Sequence, residues 1–102
     1  MTERLSSEHV SGALAQLTGW HIAAAGAAIE KELSFDDFAG ALAYVNAIGA
    51  LAEEADHHPD VEFGWGRAKI TLSTHSAGGI TQKDVELAQK IDAVEGGKVI
   101  PR

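Results

Sequence analysis

The stretch DHHPDVEFGWGRAKITLSTH, from Asp56 to His75, decides how the chain is organised. Its middle alternates in period two, with Val61, Phe63 and Trp65 on the way out and Ala68, Ile70 and Leu72 on the way back. Side chains alternate in this way along a strand with one covered face. Gly66-Arg67 lies between the two runs and reads as a tight turn, so a hairpin is predicted. The polar set Lys69, Thr71 and Ser73 carries the alternation on to His75, which puts that histidine at a strand end, before the loop from Ser76 to Gly79. At the other end, Pro59 disfavours helical backbone at His58. A helix arriving from upstream must therefore finish near Glu54 to Asp56 and leave His57 and His58 at its exit.

That helix has an apolar stripe in Phe38, Leu42, Val45, Ile48 and Ala52. Ser34 and Asp37 resemble a capping box at its start, with Asp in place of the usual Glu, and Leu33 is spaced to staple onto Phe38. Gly40 and Gly49 each cost about 1 kcal/mol relative to alanine inside a helix. They read either as close packing points or as simple tolerance in an alanine-rich helix. Further upstream, Trp20, Ile22 and Ala24 alternate, a turn falls near Gly26, and Ile29, Leu33 and Phe35 follow among charged neighbours, giving another hairpin with one wet face. Before it, Ser6 or Ser7 can cap a helix with apolar positions Val10, Ala13, Leu14 and Leu17, ended by Gly19. Downstream, Thr81 and Asp84 form a second capping-box pattern, Val85, Ala88, Ile91 and Val94 make a third stripe, and Gly96-Gly97 ends it. Lys98 to Arg102 reads as a frayed tail.

The order is therefore α-β-β-α-β-β-α, with no repeat, linker or low-complexity segment. This predicts an α+β two-layer sandwich, a four-stranded antiparallel sheet with three helices on one face, in a single domain over residues 1–102. The other sheet face would carry Glu32, Lys69 and Thr71, and its edge strands would be free to pair with a second subunit.

Composition narrows the chemistry. The chain has no cysteine, which removes disulfides, thiolate nucleophiles and cysteine-ligated metal sites. Fifteen acidic against eight basic residues give a net charge of -7, which repels a polyphosphate backbone, so direct nucleic-acid binding is not expected. Neither a spanning apolar run nor a secretory leader pattern is present, and the expected location is cytoplasmic. No G-x-S-x-G, Walker loop or G-x-G-x-x-G occurs; Gly64-Trp65-Gly66 sits at a hairpin turn and does not open a helix.

What remains unusual is His57, His58 and His75, three of the five histidines, within nineteen residues and all at ends of regular elements. Histidine titrates near neutral pH, so a group of three can offer a proton donor and an acceptor in one pocket. Glu53, Asp56, Asp60 and Asp84 are placed to orient those rings. Acid-base catalysis, metal binding and plain loop polarity are all open on the residues alone. Spacing weighs against metal, because adjacent histidines usually diverge, and neither i, i+4 nor i, i+2 occurs within the trio. His9 and His21 read as ordinary surface histidines. Asp84 has a second explanation, since the third helical position after Thr81 is where a capping carboxylate belongs.

Taken together, Glu53-x-x-x-His57-His58-Pro59, the aromatic Trp65, Leu72-Ser73-Thr74-His75 and Asp84 nine residues later resemble the pterin-4a-carbinolamine dehydratases, also called 4a-hydroxytetrahydrobiopterin dehydratases. The resemblance runs from the helix before Trp20 to the third helix. It implies a lyase that dehydrates 4a-hydroxytetrahydropterin to the quinonoid dihydropterin in tetrahydropterin recycling, with no cofactor and no metal. It further implies that His57 and His75 act as general acids on opposite stereochemical forms of the substrate, with His58 near the 4a-hydroxyl. Asp56 and Asp84 would orient imidazoles, Glu53 and Pro59 would support the site, and Trp65 and the backbone at Ser73 and Thr74 would meet the pterin. Members form homodimers or homotetramers, and animal relatives also stabilise dimers of a homeodomain transcription factor, so a protein-interaction module is the alternative function. Two positions depart from the pattern. Val61 stands where some animal members carry tryptophan, and Trp65 where tyrosine is common, which leaves the substrate's side-chain preference open.

Overall fold

The computed structural model describes residues 3–101. Helix α1 spans Ser7–Leu14, capped by the Ser6 side chain, which accepts from the His9 N–H at 3.1 Å. It stops at Leu14, earlier than the apolar spacing to Leu17 predicts; Gln16 and Leu17 instead donate to Ala13 and Leu14 in tighter turns. Strand β1 (His21–Ala23) and strand β2 (Ala28–Ser34) form the first hairpin, joined by a 3-10 turn over Ala24–Gly26. Helix α2 runs over Phe38–Ala55, and strands β3 (Asp60–Gly64) and β4 (Arg67–Leu72) make the second hairpin. Its turn is Trp65-Gly66, one residue earlier than predicted; Arg67 already pairs with Gly64, and Gly66 takes the φ of +78° that such a turn demands. Helix α3 covers Gln82–Asp92.

The strand order is β1-β2-β4-β3, all antiparallel, with β2 and β4 paired over six residues from Ile29↔Leu72 to Ser34↔Arg67. The tail departs from expectation. Lys98–Val99 forms a fifth strand, β5, against Ser34 and Leu33, and the Ile100 N–H reaches the Glu32 carbonyl at 2.8 Å. It occupies the length of β2 that short β1 leaves unpaired, which explains a strand with no period of its own. Arg102 lies outside the described residues. The expected α+β layering is present. One core joins Val10 of α1, Tyr44, Ile48 and Ala52 of α2, Leu87, Ala88 and Ile91 of α3, and Ile29, Leu33, Ile70 and Leu72 of the sheet. The uncovered face pairs charges across strands, with Arg67 on Glu32 at 3.1 Å and Lys69 on Glu62 at 3.2 Å.

Helix α2 turns a different face to the core from the one its bulkiest residues mark. The buried positions are Ala41, Tyr44, Ile48 and Ala52, whereas Phe38 is 47% and Leu42 39% exposed. The helix carries two apolar faces, and the small residues allow the closer approach to the sheet. Its cap is Asp37, which accepts from the Gly40 N–H at 2.7 Å, so the Ser34 capping box does not form; nor does Leu33 staple Phe38, whose ring lies 5.5 Å from Phe63. A Cβ at Gly49 would meet nothing within 4 Å, so that glycine is not a packing point, and at Gly40 the nearest atom is the capping carboxylate at 3.2 Å.

Candidate functional site

Helix α2 ends where Pro59 requires it to. Asp56 takes a left-handed conformation (φ +50°), and the His57 N–H closes the last turn on the Ala52 carbonyl at 3.1 Å. This turns His57 and His58 off the helix axis toward the far end of β4. There the chain continues through Ser73 and Thr74 into a 3-10 turn over His75–Ala77, held by Thr74 N–H to Gly79 O at 2.8 Å. The two termini meet around a cavity of about 400 Å³, lined by His57, His58 and His75 with Asp56, Ser73 and Thr74 and, in addition, Asp60, Thr71, Ser76 and Lys83. All three imidazoles therefore face one space. A larger groove, of about 690 Å³, lies by the start of α2 beside Phe35, Tyr44 and Gly96-Gly97; it contains no histidine.

Each ring has a different setting. His57 is largely covered, and its Nε2 lies 2.5 Å from Oδ1 of Asp84, a fully buried residue. The other oxygen of Asp84 accepts from the Thr74 hydroxyl at 2.8 Å and from the Thr81 N–H at 2.9 Å, completing the predicted capping box at the start of α3. A carboxylate only accepts, so His57 donates from Nε2 and Nδ1 is the nitrogen left for a ligand. His58 is exposed, and its Nε2 pairs with the Glu53 carboxylate one helical turn back. His75 is exposed at the mouth. With one ring largely covered and held by a carboxylate and two more open, the cavity can offer both a proton donor and an acceptor.

Among the ten residues expected at the site, six line the cavity, and Asp84 and Glu53 reach it through His57 and His58. Pro59 and Glu53 border a neighbouring groove that shares His58. Trp65 lies outside the cavity, in the turn at the opposite end of the β3-β4 hairpin and 70% exposed. Thr71, Ser76 and Lys83 were not singled out from sequence. Thr71 and Ser76 had a signal, being on the parity of Ser73 and next to His75, whereas Lys83 enters only because the start of α3 packs beside the strand end. Among the described residues, no group of three or more histidine and carboxylate side chains is arranged to hold a metal ion.

The family profile described as Pterin 4 alpha carbinolamine dehydratase matches residues 3–94. A curated protein of Paracoccus denitrificans, provisionally named a pterin-4-alpha-carbinolamine dehydratase, is 45% identical over 92 residues, covering 90% of this chain and 86% of its own. One of Thermosynechococcus vestitus with the same provisional name is 45% identical over 91 residues, covering 89% and 94%. A crystal structure titled transcriptional coactivator/pterin dehydratase, from Brucella melitensis, superposes with a TM-score of 0.87 at 34% identity, covering 92% of this chain and 100% of that one. A pterin dehydratase-like protein described as a RuBisCO assembly factor in the alpha-carboxysome superposes with a TM-score of 0.62 at 28% identity, covering 74% and 87%. On the profile match and the two close relatives, the chain belongs to the pterin 4 alpha carbinolamine dehydratase family.

Proposed function

We propose that this protein is a hydro-lyase that converts a 4a-hydroxytetrahydropterin to the quinonoid dihydropterin and water, using imidazoles alone for proton transfer and serving tetrahydropterin recycling in the cytoplasm. The observation that carries the reading is the convergence of three histidines on one small cavity, beside a buried carboxylate that holds one of them. In the step itself, a protonated imidazole gives its proton to the 4a-oxygen, the C4a–O bond breaks, and water leaves. The lone pair of the adjacent ring nitrogen forms the C=N bond, and a ring N–H proton passes to a neutral imidazole, so charge and protons balance. His57 and His75 serve as the acids, on opposite faces of the substrate, and His58 meets the hydroxyl. Asp56, Asp84 and Glu53 orient the rings, the Ser73-Thr74 backbone holds the pterin edge, and Pro59 shapes the turn. Trp65 takes part in pterin binding only if a second subunit carries it to the cavity.

A homo-oligomer is part of this proposal. Its support is the exposed apolar strip of Phe38, Leu42, Phe63 and Trp65 beside the open edge of β3. Sedimentation equilibrium that returned a monomer would remove that part. The same strip favours a second reading, a non-catalytic protein-interaction module, for which the neighbour described as an assembly factor is a precedent. A stable partner complex unaffected by loss of the trio, from a protein with no dehydratase activity, would select it.

The test is a stopped-flow assay on a synthetic or enzymatically generated 4a-hydroxytetrahydropterin. His57→Ala and His75→Ala are each expected to slow turnover by about 10²-fold or more, the usual contribution of a general acid. Full turnover in both variants, or none in the wild type, refutes the proposal.

A further inference from the structure

We propose that Thr81, which does not border the cavity, is a positioning residue for His57, acting through the hydroxyl of Thr74 and the carboxylate of Asp84. The proposal rests on the acid-base reading above. The Thr74 hydroxyl lies 2.8 Å from Asp84 Oδ2 and 2.7 Å from the Thr81 hydroxyl. It has one hydrogen to give, and a carboxylate can only accept, so that hydrogen goes to Asp84 and Thr81 must donate to Thr74. The Thr81 oxygen in turn accepts from the Lys83 N–H at 3.3 Å. Donation therefore runs one way, from Lys83 N–H to Thr81, to Thr74, to Asp84 Oδ2. The Thr81 N–H reaches the same oxygen at 2.9 Å. With two donors on Oδ2, the plane of the Asp84 carboxylate is held and Oδ1 is presented to His57 at 2.5 Å.

Capping a helix requires only an acceptor oxygen at Thr81, or no side chain at all. Donation to Thr74 is a separate task that the cap does not need. Thr74, Thr81 and Asp84 are all buried, so water does not compete for these hydrogens, and the orientation of the chain persists. Without the Thr81 hydroxyl, the Thr74 oxygen loses the donor it has in this chain, Thr74 becomes a weaker donor to Oδ2, and the Asp84 carboxylate that orients the His57 ring is held less tightly.

Thr81→Gly separates the two tasks, because glycine at an N-cap costs only a few tenths of a kcal/mol relative to the polar caps. Thr81→Val keeps the shape without the hydroxyl, and Thr81→Ser keeps the hydroxyl. Each is examined by ¹⁵N spectra of histidine-labelled protein and by steady-state kinetics. The wild type and Thr81→Ser are expected to show the same sharp His57 Nε2–H signal, whereas in Thr81→Gly and Thr81→Val that signal shifts and broadens as the Asp84 bond loosens, and kcat falls about tenfold at unchanged KM, the kinetic size of one buried hydrogen bond. A folded Thr81→Gly protein with the wild-type spectrum and kcat overturns the proposal. Should neither hydroxyl-free variant fold, the wild type decides: a Thr81 hydroxyl proton that exchanges as fast as an exposed one overturns it, and a protected one supports it. The ring spectrum does not depend on turnover, so an inactive wild type whose variants show the expected shift of the Nε2–H signal would refute the dehydratase reading alone.

Discussion

Helix α3 carries a carboxylate near each end, fully buried Asp84 and partly buried Asp92, eight residues or about 12 Å apart along the axis. The two use the same device for different ends. Asp92 accepts from the Lys31 ammonium at 2.7 Å, the Trp20 indole N–H at 2.8 Å and the Thr18 N–H at 2.8 Å. That set is closed, since Lys31 is 4% exposed and its ammonium lies 5.9 Å from the Trp20 ring centre, so the cluster pins β2 and the segment entering β1 to the helix, and none of its residues lines the histidine cavity. Asp84 likewise saturates one oxygen inside the protein, but its other oxygen holds a ring that borders open space. A carboxylate fixes geometry in both places. Only at the Asp84 end does the side chain it fixes border the histidine cavity.

The sharpest way to break this contrast is Asp92→Ala. It leaves the Lys31 ammonium buried without a counter-charge, and loss of one partner of a buried pair costs about 3–5 kcal/mol. Urea unfolding should show that loss, while turnover per folded molecule stays at the wild-type value; a matching fall in turnover would mean that the two ends are not independent. Asp84→Asn is expected to act on both quantities. It removes charge from three hydrogen bonds, costs about 1–3 kcal/mol of stability, and lowers kcat while leaving the His57 backbone in place.

Tyr44 supplies the smallest and most specific test of the Asp92 end. Its hydroxyl is buried without a hydrogen-bond partner among the described residues, and its pKa is pushed up to about 12, first by burial and then by the charge of Asp92. The folded protein thus holds the phenol proton more tightly than the unfolded chain, whose tyrosine titrates near 10. The stabilisation from that proton is complete below pH 10 and is lost as pH rises toward 12, with a slope of at most about 1.4 kcal/mol per pH unit. Tyr44→Phe removes both features. Denaturation at neutral pH should find it more stable by about 1 kcal/mol, and the difference between wild type and variant should widen in alkali. A variant less stable than wild type at pH 7 would reveal a partner for the hydroxyl.

How far the sequence could be read follows the range of each interaction. Pro59 stops α2 whatever surrounds it, and period two carries Lys69, Thr71 and Ser73 to His75, so the approach of His75 to His57 and His58 could be expected before any coordinates. The Thr81-Asp84 capping box is local and could be read; that Asp84 orients an imidazole came from the family resemblance, and that the ring is His57, 27 residues away, only from the fold. Lys31 shares the parity of Ile29 and Leu33 in β2, and its burial made no sense in sequence because its counter-ion is 61 residues downstream. Nothing between Lys98 and Val99 announces a strand, since β5 exists only through the unpaired end of β2.

Sequence alone determined the order of the first seven elements, the α+β class and the identity of the histidine trio, because propensity, proline and turn chemistry act within a few residues. Tertiary structure alone decided which face of α2 is covered, which carboxylate holds His57 and that Lys83 borders the cavity. Those outcomes depend on which distant surfaces fit when packed, and packing is a property of the whole chain.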